Sequence, residues 1–135
     1  MIFLYYNNYY KNRQLFYNIQ YLKCPRRNEM SLKKTFSKDK KTCSVTFTVS
    51  AEAAQGAKKV NLAGDFNSWS STDTPMKKSK DGSFSIKLDL EADKEYQFRY
   101  LLDGYKWEND WKADKYIPAP YSNADNSVVV TKNLK

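Results

Sequence analysis

Tyr96-Gln97-Phe98-Arg99-Tyr100-Leu101-Leu102-Asp103-Gly104 decides how this chain folds. Tyr96, Phe98, Tyr100 and Leu102 recur at every second position, the period of a strand with one face in a core. Asp103-Gly104 then ends the run as a turn, because glycine adopts positive φ without steric cost. Upstream, Phe84, Ile86, Leu88 and Leu90 alternate in the same way behind a second turn, Asp81-Gly82. Further out, Lys59–Gly64 alternates, and so do Cys43, Val45, Phe47 and Val49. A short strand is predicted at Met76–Ser79 and a closing strand over Ser127–Thr131. Between them, Ser50–Gly56 and Asp65–Pro75 read as loops. Asp110–Ala124, with Pro118 and Pro120, reads as a long connection.

No helical stripe of useful length follows residue 30. Seven to eight short strands at this spacing predict an all-β, immunoglobulin-like sandwich. The 135 residues suffice for one such domain.

The chain changes character near Met30. Residues 1–29 hold six of the eleven tyrosines and carry five basic side chains against the single acid Glu29, half of the net charge of +8. They show neither strand nor helix period. Met30-Ser31-Leu32-Lys33-Lys34 reads like a bacterial protein start, and Arg26-Arg27-Asn28-Glu29 can be encoded by purine-rich codons, the composition of a ribosome-binding site. The expected division is therefore 1–29, an N-terminal extension that is translated leader or disordered, and 30–135, the sandwich. The rival for 1–29 is a basic aromatic arm that binds membrane or nucleic acid.

Composition narrows the chemistry. There is no histidine, so the commonest general base and metal ligand is missing. Cys24 and Cys43 have no zinc-site spacing. Cys43 shares parity with core positions, and two inert thiols fit a cytoplasmic location. No glycine-rich loop precedes a helix, and there is no apolar run of membrane-spanning length. No catalysis, cofactor, metal or membrane partner is predicted. Nor is a nucleic-acid partner, because the positive charge of residues 30–135 is dispersed among acids.

The tryptophans are more informative. Trp69, Trp107 and Trp111 all stand in polar surroundings away from core parity. An indole left at a surface needs something to cover it, and its flat apolar face suits the C–H face of a sugar ring. Arg99 faces away from Phe98 and Tyr100 and offers a fork of donors suited to neighbouring hydroxyls.

Four ordered motifs bear a family resemblance. Val60-Asn61-Leu62-Ala63-Gly64-Asp65-Phe66-Asn67-Ser68-Trp69 resembles the opening motif of the isoamylase N-terminal (early-set) glycogen-binding domains. Such domains also occur in the β subunit of AMP-activated protein kinase and in glycogen branching and debranching enzymes. Asp81-Gly82-Ser83-Phe84 with Leu88-Asp89-Leu90 resembles the central hairpin. Tyr96–Gly104 resembles the strand ending in Asp-Gly, and Asn126-Ser127-Val128-Val129 the closing strand. The similarity spans about residues 42–131.

The resemblance implies a non-catalytic module for glycogen- or starch-type α-glucan. Trp69 and Trp107 match tryptophans that stack on glucose. Arg99 matches a basic residue that bonds sugar hydroxyls, a lysine in the kinase subunit. Asn126 matches an asparagine that contacts sugar. Two residues, Tyr105 and Lys106, precede Trp107 where the kinase subunit has one, which leaves Trp111 as a secondary candidate. Asp125, beside Asn126, is another. A glycogen-metabolising enzyme is the expected protein partner. The alternative function is a protein-interaction or adaptor module of the same fold without sugar binding, since exposed aromatics and arginine also make protein hot spots. With no histidine, sugar binding is expected to change little between about pH 5 and 9.

Overall fold

The computed structural model describes residues 31–120 and 123–132. The expectations for residues 1–29, including Cys24, lie outside them. Among the described residues nine strands run in the order β1 Ser31–Phe36, β2 Thr42–Val49, β3 Val60–Gly64, β4 Lys77–Lys78, β5 Phe84–Glu91, β6 Glu95–Leu102, β7 Lys106–Glu108, β8 Lys115–Pro118 and β9 Asp125–Val130. They form two antiparallel sheets. One has the order β1-β2-β5-β4, and the other β3-β6-β9-β8 with β7 also on β6. This is the expected all-β sandwich.

The alternating residues fill the space between the sheets. Cys43, Val45, Phe47 and Val49 of β2 are fully buried, and face-sharing partners on β5 include Leu90 opposite Cys43 and Phe84 opposite Val49. In the other sheet Leu62 stands opposite Tyr100 and Val60 opposite Leu102. Phe47 meets Phe98 across the gap, edge to face, with ring centroids 5.0 Å apart. Such a ring pair adds about 0.5–1.5 kcal/mol to its area burial. Burying each large apolar side chain stabilises the fold by about 1.5–3 kcal/mol.

Three elements depart from the sequence expectation. Ser50–Gly56, expected as a loop, contains a one-turn helix, α1 (Ala51–Ala54). Its N-cap Ser50 accepts the Ala53 N–H on Oγ at 3.1 Å. Strand β1 was not foreseen, because Lys34 occupies the core-facing parity between Leu32 and Phe36. Its ammonium reaches Asp114 at 2.5 Å, and Asp114 also accepts the Val130 N–H at 2.7 Å. Strand β8 lies inside the expected long connection. It has four residues, the last of them Pro118, too short to show a period.

The edge of β3 away from β6 is covered by residues 74–76. Leu62 donates its N–H to Thr74, and Met76 donates to Val60. Among the described residues no helix is long and apolar enough to cross a membrane.

Candidate functional site

Strand β6 is where the site begins. One of its edges pairs with β3 over Phe98–Leu102, and the other is shared by two strands. Pairing with β9 ends at Phe98 opposite Ser127. Pairing with β7 starts at Tyr100 opposite Glu108. Arg99 sits at the break between them. Strand alternation puts Gln97, Arg99, Trp107 and Asn126 on the outer face of this sheet, opposite the core-facing Phe98 and Tyr100. Arg99 donates its Nε–H to the Asp125 carbonyl at 2.9 Å, which ties the guanidinium to the start of β9. Asn126 is 5% exposed and donates its side-chain N–H to Gln97 Oε1 at 3.0 Å.

Trp69 arrives from the other direction, off the end of β3. The chain turns there through a 3-10 turn, Asp65–Asn67. Asn67 holds the turn by accepting the Gly64 N–H at 3.0 Å and donating to the Leu62 carbonyl at 2.8 Å and Thr74 Oγ1 at 2.9 Å. Ser68 and Trp69 both take left-handed backbone conformations, φ 55° and 57°. An L-residue there is strained by about 1–2 kcal/mol. The turn therefore spends stability to aim the indole. Trp69 Nε1–H donates to Asp65 Oδ1 at 3.0 Å, while Asp65 Oδ2 accepts the Gln97 backbone N–H at 2.8 Å. One carboxylate thus locks the ring to the outer face of β6.

Trp69, Arg99, Trp107 and Asn126 line one groove of about 380 Å³. Asp65 and Gln97 complete its polar side, and Ala119 and Pro120 form the wall beyond β8. Trp107 keeps 43% of its surface exposed. The two secondary candidates are placed differently. Trp111 packs against the core, and Asp125 is buried, contributing its main-chain carbonyl to Arg99; neither lines the groove. Asp65 and Gln97 were missed from the sequence. Gln97 was within reach of it, being two residues from Arg99 and so on the same strand face. Asp65 stands four residues before Trp69, but only the turn shows why.

The sequence profile of carbohydrate-binding module 48, the isoamylase N-terminal domain, matches residues 35–117. The chain belongs to this family. No curated protein matches it. The matched span runs from the end of β1 to β8 and takes in Trp69, Arg99 and Trp107, while Asn126 lies beyond it. The protein thus carries a carbohydrate-binding module.

Beneath the outer face of this module 48 domain lies a chain of buried and half-buried polar groups. Asn109 donates its side-chain N–H to the same Asp125 carbonyl that holds Arg99, at 2.8 Å. Asn109 Oδ1 accepts both the backbone N–H and the hydroxyl of Ser127, at 3.0 and 2.8 Å. The Ser127 oxygen accepts the Asp110 N–H at 2.9 Å, and Asp110 Oδ2 accepts the Tyr100 hydroxyl at 2.7 Å. Asp110 is fully buried, and loss of water pushes its pKa from 3.8 to about 6, despite hydrogen bonds from Lys112 and Tyr100 that favour the charged form. Burial, with the charge of Asp110 alongside, pushes the Tyr100 phenol well above its usual range. Among the described residues no cluster of acidic or cysteine side chains could hold a metal.

Proposed function

We propose that this domain is a non-catalytic module for α-glucans of the glycogen and starch type. Trp69 and Trp107 act as stacking platforms for glucose rings, and Arg99, Gln97 and Asn126 orient the hydroxyls. The observation that carries this reading is the convergence of Trp69, Arg99, Trp107 and Asn126, from three separate parts of the chain, on one open groove. The indole N–H of Trp69 is committed to Asp65, so its apolar face is what the ring offers a ligand. Arg99, held through Nε to the Asp125 carbonyl, lines the same groove. Sugars lose good hydrogen bonds to water on binding, so each site is weak and affinity builds along a polymer. The buried thiol of Cys43 fits a cytoplasmic protein. An enzyme of glycogen metabolism is the partner the module would bring to its substrate.

Retention of the full chain on immobilised amylose or glycogen tests the reading. The wild type is expected to be retained and displaced by soluble maltooligosaccharide. Trp69→Ala and Trp107→Ala are each expected to weaken retention by about tenfold or more, because each removes a large apolar contact. A wild type that passes straight through would instead favour the adaptor alternative.

A further inference from the structure

We propose that Tyr105 is a further carbohydrate-binding residue, a stacking platform outside the groove that extends the glucan contact beyond Trp107. The inference rests on the α-glucan reading above. Tyr105 and Trp107 are the large hydrophobic side chains left exposed among the described residues, at 77% and 43%, and one residue separates them. Both belong to the β6–β7 hairpin, whose register sets Leu102 opposite Lys106 and Leu101 opposite Trp107.

The two faces of this hairpin have different company. Lys106 and Glu108 both hydrogen-bond Gln55, just past α1, and pair with each other at 3.6 Å. Trp107 lies on the other face and lines the groove. Tyr105 closes the turn two residues before Trp107, at most about 6–7 Å away along the chain. A flexible oligosaccharide lying on Trp107 spans such a step.

The turn that carries Tyr105 is also pinned. Asp103 Oδ1 accepts the backbone N–H groups of Lys58 and Lys59 at 2.8 and 3.0 Å. Asp103 donates its own N–H to the Lys59 carbonyl at 2.9 Å, and Tyr105 donates to Leu102 at 3.1 Å. Asp103 and Gly104 hold φ of 52° and 80°, which fixes the three-residue loop. A ring displayed on a turn already ordered loses little freedom on binding, and a tyrosine face contributes contact area at two side-chain torsions.

The test titrates the full chain with maltotriose, maltopentaose and maltoheptaose, following tryptophan fluorescence or heat. The wild type is expected to gain affinity with length. Tyr105→Ala is expected to bind maltotriose like the wild type and to lose most of the gain, about three- to tenfold on the longest ligand. Tyr105→Trp should restore it, which assigns the effect to the ring. A wild type without length dependence, or a Tyr105→Ala protein that matches the wild type at every length, overturns the proposal while leaving the groove reading intact. Equal loss of Tyr105→Ala at all three lengths overturns it too. If the wild type binds none of the ligands, the groove reading falls and this proposal with it.

Discussion

Trp69 holds a backbone conformation that its own side chain disfavours, and Asp65 is what makes that conformation useful. With φ at 57° the ring leaves β3 sideways, and the Asp65 carboxylate catches its N–H while also accepting the N–H of Gln97. Asp65 therefore acts through Trp69 as a positioning residue. Replacing it with alanine is expected to weaken amylose retention about tenfold, with a stability loss of about 1 kcal/mol from the two hydrogen bonds. The loss of binding should exceed what the modest change in melting temperature explains, and tryptophan emission should shift as the ring is released. Asp65→Asn keeps one amide oxygen where two carboxylate oxygens now serve, so its binding should fall between wild type and alanine. Equal binding in all three proteins would mean that the ring needs no such lock.

At the level of elements, the site exists because β3 stops where it does and because β6 changes partners at Arg99. Gly64 ends β3 in extended backbone. A Cβ there would run into the Gln97 carbonyl oxygen and lie 2.9 Å from the Phe66 ring. The constraint is close approach of two backbones, so no conformational freedom special to glycine is needed. Gly64→Ala is expected to destabilise the domain by about 1–3 kcal/mol. A thermal melt should show a clear fall in Tm, and retention should drop because Gln97 and the Trp69 turn move together. An unchanged melting temperature would contradict this account of the β3 terminus. The strands that alternate over several residues, β2, β5 and β6, were legible in the sequence. Those that were not show why pattern reading stops. Lys34 breaks the apolar alternation of β1, and its justification, Asp114, lies 80 residues away and is invisible to a local period. Strand β8 is an edge strand of four residues with two half-buried side chains, Tyr116 and Ile117, and among the described strands it pairs with β9.

The whole molecule adds a titration that composition hides. Without histidine, no unperturbed Asp, Glu or Lys side chain is expected to titrate much between about pH 5 and 9, yet folding buries Asp110 and moves its pKa to about 6. In the unfolded chain the group returns to about 3.8. The folded state thus holds this proton more tightly. The contribution to stability is fully present below about pH 4, and it is lost as pH rises through 6. A shift of about two units corresponds to a swing on the order of 3 kcal/mol. Asp39 and Asp81, lowered chiefly by hydrogen bonds from the Ser37 and Ser83 hydroxyls, act in the opposite sense below the usual carboxylate range. The difference between wild type and Asp110→Asn isolates the buried group. Urea unfolding is expected to show wild-type stability rising relative to the variant between pH 7 and 4, and a constant difference would contradict it. Amylose retention should change much less across this range than stability does, because Asp110 is buried and does not line the groove.

Taken alone, the chain of residues determined the two-sheet sandwich, the inward faces of its longer strands, the family, and the four side chains of the candidate groove. These follow from local period and from short motifs, both of which need only neighbours in sequence. Tertiary structure alone decided that those four side chains share a groove and that Trp111 turns to the core. It also decided that Asp65 anchors the ring and that the Asp110 carboxylate is buried against the Tyr100 hydroxyl. Each of these depends on backbone segments brought together across the β6 junction, where contact and the loss of water are set by folding and leave no trace in the order of nearby residues.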